Sequence, residues 1–454
     1  MLWVWWWGEV GVILAVGGAF VCSVNKRVHI YIAVGDGVYL ESMTQISGIK
    51  MEKDGERRVT FLPEPEPRQR RYTVISVDDH LVEPAHMFQG RVPAKFADLA
   101  PKVVEQSDGS QRWIYNGKVF PNIGLNAAVG RPPAELSDEP TRFDEMRRGC
   151  WDIHDRIKDM DIAGVYASMN FPSLLAGFAG QRLSATKDPE LGFAVFQAYN
   201  DWHLEEWAGS YPDRIIPCQL PWLADPQKAA EEIRRNAGRG FRAVTFSENP
   251  EKLGYPSVHT THWDPLFRAC EETETPVCLH IGSSSTTVSA SSDAPFDEIG
   301  FLFPTNAIVT ATDWLYAKIP VRFPNLKIAL SEGGIGWVPW FLDRLDHSAR
   351  YQDYTDTWKG VNTSMADLFL NSFRFCTIED PTTFAVLDRI GVDRVMVEVD
   401  YPHVDSTWPD VQPVLARQLS QLSAEAVRKV TYENASTLFK HPVPDSALVM
   451  SSVN

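Results

Sequence analysis

The sequence predicts a (β/α)8 barrel with a long insertion after its first strand and an N-terminal extension. Three observations predict it. Eight short β-branched runs follow residue 71, helical patterns separate most neighbouring runs, and the first run lacks the Gly-rich turn of a doubly wound open sheet.

The chain opens on an apolar window. Residues Leu2–Val24 are apolar apart from Glu9 and Ser23, a stretch long enough to span a bilayer. There is no basic leader and no small-residue cleavage site, so the segment does not read as a cleaved signal peptide. If it spans, Lys26 and Arg27 hold the following domain on the cytoplasmic side. The competing expectation is an extension of no catalytic importance. Phe61–Arg71 (FLPEPEPRQRR) reads as an extended, proline-spaced linker. The expected organisation is therefore residues 1–71 as extension and linker, 72–442 as the barrel, and 443–454 as a tail.

The predicted strands follow in order: Thr73–Val77, Val165–Phe171, Ile215–Leu220, Phe241–Phe246, Pro276–Ile281, Lys327–Ser331, Phe373–Thr377 and Arg394–Val399. Helical patterns cover Trp151–Ile162, Pro226–Ala237, Trp263–Glu274, Gly336–Tyr351 and Pro381–Ile390. The gap from about His80 to Gly164 far exceeds a usual βα unit and is read as an excursion over the barrel mouth.

Composition bounds the function. With 454 residues, 44% of them hydrophobic, the chain can bury a large core. A formal net charge of -16 argues against a nucleic-acid partner, which needs a basic footprint. Fifteen Trp and 23 Phe argue against disorder. The six cysteines are scattered without a CxxC pair, so reduced, buried thiols in a cytoplasmic protein are expected. Cys270 and Cys278 fit no usual zinc spacing. Membrane association is open only through residues 2–24, and a homodimer is expected.

The ionisable residues gather where a barrel puts its chemistry, at the C-terminal strand ends. Strand one ends in Asp78-Asp79-His80, and residues two apart in a strand face the same way, so Asp78 and His80 point together. Strand five carries His280, strand six ends in Glu332 and strand eight in Asp400. Each has a bland reading as core histidine, helix cap before Gly333-Gly334, or turn former. Asp79 and Glu83 read as supporting or capping groups. All the site residues being bland at once is the less economical reading. Two imidazoles and two or three carboxylates suit one divalent metal ion, Zn or Mn, with a position left open.

Asp78-x-His80, His280, Glu332-Gly333-Gly334 and Asp400-Tyr401-Pro402-His403 together resemble the amidohydrolase-related family of the amidohydrolase superfamily. Arg156–Val165 resembles that family's helix into the second strand, and Asn434–Phe439 its closing helix. The likeness covers about Tyr72–Lys440 and lies closest to the branch with aminocarboxymuconate semialdehyde decarboxylase and the resorcylate and carboxyvanillate decarboxylases. It implies Asp78, His80, His280 and Asp400 as metal ligands, with Asp400, Glu332 and His280 as catalytic residues. Two departures stand out: Asp rather than His opens the first motif, and Glu332 replaces the strand-six histidine. No strand-four lysine near Phe246-Ser247-Glu248 offers a bridge between two metals.

The implied activity is non-oxidative decarboxylation of an aromatic or conjugated carboxylic acid. Hydrolysis of a lactone, ester or amide uses the same ligands and is the alternative. A barrel that binds a metal or ligand without turnover is the third reading. His403, Trp408 and Asn170 are candidates for the substrate pocket, and Arg142, with Arg131, for holding a substrate carboxylate.

Overall fold

The computed structural model describes residues 59–136, 139–295, 297–351 and 355–449, and the backbone of strands within residues 3–40. It divides into two units, Met1–Met51 and Glu52–Asn454.

In the first unit, Trp3–Trp7, Val10–Val16, Ala19–Val24, Arg27–Val34 and Gly37–Leu40 pair consecutively as an antiparallel sheet. The apolar window thus lies in strands. No helix among the described residues is long and apolar enough to cross a membrane.

The second unit contains all eight expected barrel strands. They are β1 (Ile75–His80), β2 (Ala167–Phe171), β3 in two pieces (Ile215–Ile216 and Cys218–Gln219), β4 (Ala243–Ser247), β5 (Val277–His280), β6 (Ile328–Ser331), β7 (Phe373–Thr377) and β8 (Val395–Val397). Pro217 divides β3 because it has no N–H for the ladder. Every neighbouring pair from β1 to β8 is parallel. Just beyond β8 the ring closes: Asp400 N donates to Asp78 O at 2.9 Å, and His80 N to Tyr401 O at 2.6 Å.

The main outer helices are α1 (Ile153–Ala163), α2 (Pro189–Trp202), α3 (Pro226–Arg239), α4 (Asp264–Thr273), α5 (Phe303–Tyr316), α6 (Val338–Ala349), α7 (Met365–Ser372) and α8 (Val411–Gln418). Their ends follow local chemistry. Asp225 accepts from Gln227 N and Lys228 N, Pro226 opens α3, and Gly240 at φ +117° closes it. Ala229, Ala230 and Ile233 form that helix's buried face. The lumen is filled by small and branched side chains, including Ile75, Val77, Cys218, Ala243, Cys278, Ala329, Cys376 and Met396. Cys150, Cys218, Cys270, Cys278 and Cys376 are free and buried, as their spacing suggested. Cys22's side chain lies outside the described residues.

Two segments differ from the sequence reading. The stretch Phe61–Arg71 is no free linker. Leu62 N donates to Gly130 O, Arg68 N to Ile162 O, and Arg147 grips Glu64 through two bonds of 2.9 Å. The stretch is a strap on the barrel unit, so the boundary lies near residue 51. The tail is also held as far as it is described: Val449 N donates to Thr73 Oγ1 at 2.8 Å. The excursion after β1 contains a three-stranded sheet of Lys102–Glu105, Gln111–Tyr115 and Lys118–Val119.

Candidate metal centre

A bulge on β1 sets the site's geometry. Ser76 pairs with Ser168 but Asp79 with Asn170, so Val77 and Asp78 stand opposite Met169 alone. The extra residue resets the alternation. Ile75 and Val77 fill the lumen, while Asp78 and His80 both turn to the mouth.

There the expected donors meet. His80 Nε2 and His280 Nε2 lie 2.9 Å apart. Asp78 Oδ1 is 3.6 Å from the first and 3.5 Å from the second. Asp400 Oδ1 is 3.3 Å from His80 Nε2, and Glu332 Oε2 is 3.6 Å from His280 Nε2. The imidazoles are aimed from behind: His280 Nδ1 lies 2.6 Å from Ile281 O and His80 Nδ1 3.4 Å from Pro172 O. Such contacts leave each Nε2 as the nitrogen available for ligation.

Asp79 faces away from the centre and braces the strands. Its carboxylate accepts from Ser76 Oγ (3.0 Å), Ser168 Oγ (2.5 Å) and Tyr401 N (3.1 Å). Burial lifts it to about 6 despite these bonds. Glu83 accepts from Ser173 N and Ala176 N in the turn after β2, a supporting contact rather than a helix cap.

Electrostatics marks the centre as unbalanced. Burial, then nearby carboxylates, pushes Glu332 and Asp400 well above the usual carboxylate range, and burial raises Asp78. Burial opposes a charge on His280, but Asp78 and Glu332 outweigh it and hold that imidazole at about 9. Both Asp78 oxygens, Asp400 Oδ1 and His403 Nε2 are buried without a hydrogen-bond partner. Buried acceptors of this kind are costly unless a cation satisfies them. Asp78, His80 and His280 form one group able to hold a metal ion and His80, Asp400 and His403 another, so the four expected donors fit a divalent ion around the shared His80, with Glu332 beside His280. Glu332 and Asp400 also share a left-handed backbone, at φ +61° and +57°. Non-glycine residues rarely adopt it, and such strain concentrates at functional sites. Glu332 caps no helix: α6 has no side-chain cap, and Ile335 N is taken by Asp380.

The pocket candidates divide. His403 stacks on His80 at 3.9 Å between ring centroids, with Nδ1 3.1 Å from Asp400 Oδ2. With Trp408 it lines a cavity of about 200 Å³ whose other walls include Leu62, Pro63 and Arg147. The Asn170 amide is occupied by Ser168 and Trp207, and Arg131 by the Glu145 carbonyl. Arg142 pairs with Asp144, Glu105 and the Gly109 carbonyl on the excursion's small sheet. The structure therefore does not gather Asn170 or Arg142 at the centre, whereas Arg131 lines the cavity beside His403 and Trp408.

Three groups escaped the sequence reading. Phe178 packs against both candidate-ligand imidazoles, with ring centroids 4.8 Å from His80 and 4.3 Å from His280; nothing in its loop sequence signals this. Glu398 Oε2 accepts from Glu332 N at 3.0 Å, and its spacing of two from Asp400 was a usable signal. Asp405 joins Glu332, Asp400 and His403 in one ligand-capable cluster.

The comparisons agree with this architecture. A gamma-resorcylate decarboxylase of Rhodococcus jostii (strain RHA1) is 25% identical over 345 residues, 70% of this chain and 94% of that protein. An amidohydrolase from Mycobacterium avium subsp. paratuberculosis K-10 superposes with a TM-score of 0.62 at 22% identity, covering 82% of this chain and all of that one. The 5-carboxyvanillate decarboxylase of Novosphingobium aromaticivorans DSM 12444, solved with manganese and 4-hydroxy-3-methoxy-5-nitrobenzoic acid, gives 0.58 at 19% identity over 84% of this chain and all of that one. The Amidohydrolase family model matches residues 85–440. The chain belongs to the amidohydrolase family.

Proposed function

We propose that the protein is a metal-dependent, non-oxidative decarboxylase of an aromatic or conjugated carboxylic acid. The observation carrying this reading is the buried set of Asp78, His80, His280 and Asp400 at the barrel mouth, with the Glu332 carboxyl 3.6 Å from His280. The decarboxylase relatives, and the manganese in one of the solved structures, support the reaction class and the metal. Asp78, His80, His280 and Asp400 would hold one divalent cation, Mn or Zn. When bound it supplies Lewis-acid polarisation and a template for the substrate's oxygens.

The chain's own residues supply the rest. Burial favours the neutral form of Glu332, and in this reading its carboxyl delivers a proton to the ring carbon as CO2 departs. His403 steadies the Asp400 carboxylate through Nδ1. Phe178 and Phe171 pack on His280 and limit water. The cavity bounded by His403 and Trp408 offers a flat substrate an apolar wall.

Hydrolysis is the second reading, favoured by the family match itself. In it, Asp400 takes a proton from the attacking water as general base. One screen separates the two: aromatic acids assayed for CO2 release beside lactones and esters assayed for acid release. CO2 from an aromatic acid is expected, and hydrolysis alone would replace the first reading with the second. His280→Ala and Asp400→Asn should abolish turnover and lower bound Mn or Zn while the fold persists. Full metal content and activity in both variants would refute the site.

A further inference from the structure

The opposite end of the barrel holds a second concentration of charge. A cavity of about 670 Å³ opens there, its lining including Pro276, Leu326, Lys327, Arg374 and Leu438. Lys327 Nζ donates to Asn371 O at 2.9 Å, and Arg374 NH1 reaches the same oxygen at 3.4 Å. Arg374 NH1 also reaches Leu370 O at 3.5 Å, which accepts from Arg394 Nε at 2.7 Å. Arg374 NH1 makes its shortest bond to Phe373 O at 2.8 Å, and Arg394 NH1 also reaches Ile390 O at 3.4 Å, so three cations gather around the C-terminal end of α7.

Capping that helix accounts for only part of this charge. A helix C-terminus presents about half a negative charge, against three full positive ones. The wall's carboxylates each have another partner: Glu274 pairs with Lys440 and Asp393 with Lys429, two lysines that line the cavity themselves, and Glu433 with Arg428. Burial, then repulsion from Arg374 and Arg394, pushes Lys327 below its usual range. Burial and Arg394 do the same to Arg374, with Asp393 offsetting part of it. The cluster carries surplus positive charge facing a cavity.

We propose that this cavity is an oxyanion site in which Lys327 and Arg374 hold a phosphate group. A phosphate dianion restores the charge balance, accepts from a guanidinium fork and meets the ammonium as a point charge. Pro276, Leu326 and Leu438 leave an apolar wall for an organic substituent on the phosphate. The site lies at the strands' N-terminal ends and is independent of the mouth chemistry.

Calorimetric titration of the full chain with inorganic phosphate, and separately with phenyl phosphate, at constant ionic strength tests this. Saturable binding is expected, at least about tenfold weaker in Lys327→Met and in Arg374→Gln, the usual scale for losing one charge-assisted partner. If Arg374→Gln fails to fold, Lys327→Met decides alone, since that ammonium makes a single protein hydrogen bond. Tighter phenyl phosphate binding identifies an ester as the occupant and equal binding the free ion; both support the site. Heats matching a chloride control, or phosphate affinity unchanged in Lys327→Met, would overturn it and leave a helix-capping cluster.

Discussion

Glu332 shows how one residue changes its meaning with its surroundings. Before two glycines it reads as a helix cap, yet it caps nothing and sits 3.6 Å from His280. Gly333 is there for space: a Cβ would meet Ala307 Cβ at 2.7 Å. Glu332→Gln keeps size and removes the titratable proton. Turnover should fall roughly a hundredfold or more, the scale of a lost general acid or base, with metal content unchanged. Wild-type turnover would refute the proton role; loss of metal would make Glu332 a ligand and leave Asp400 as the acid. His203 offers a residue-scale test of stability. Burial alone holds its imidazole at about 3, against an ordinary 6.5. Between those values the unfolded chain binds a proton that the native state does not. Stability is therefore lost as pH falls from about 6.5 towards about 3, by roughly 1.4 kcal/mol per pH unit for one proton. His203→Gln should make the acid limb of a Tm–pH profile shallower by that proton. Superimposable acid limbs would remove His203 from it.

Elements are set by their ends and by one irregularity. α3 starts at Asp225-Pro226 and stops at Gly240, and Asp225 accepts from Gln227 N and Lys228 N. Asp225→Ala should cost about 1 kcal/mol, or roughly 2 °C in Tm; an unshifted melting curve would show that the cap contributes nothing. The bulge in β1 is not legible. It follows from how β1 packs on β2, and it alone lets Ile75 and Val77 fill the lumen while Asp78 and His80 reach the mouth. The short β3 and β8 were found because β-branched runs survive even where a proline or a turn trims the ladder.

For the whole molecule, the boundary near residue 51 has a direct consequence. A chain starting at Glu52 should keep the full chain's Tm and bound metal, because the barrel unit retains its strap. A chain starting at Tyr72 loses the Glu64–Arg147 bonds and the Leu62–Pro63 wall of the cavity beside His403. It should melt lower. Equal melting of all three chains would make the strap dispensable, and a drop already at Glu52 would place the boundary upstream.

Strand count, strand order and the meeting of four candidate ligands could be read from the chain because each depends on local pattern. A β-branched run ends in a polar residue, and a barrel sends all such ends to one mouth. Convergence of Asp78, His80, His280 and Asp400 therefore needed no knowledge of loops. Loop paths, register and charge surplus carry no such local signature. Phe178 reaches the imidazoles, Asn170 turns to Ser168 and Trp207, and residues 61–71 lie along the barrel because packing brings distant segments together. The cationic cavity has the same origin: Lys327, Arg374 and Arg394 stand far apart in sequence, and the parallel order of β6, β7 and β8 lines them up at one end.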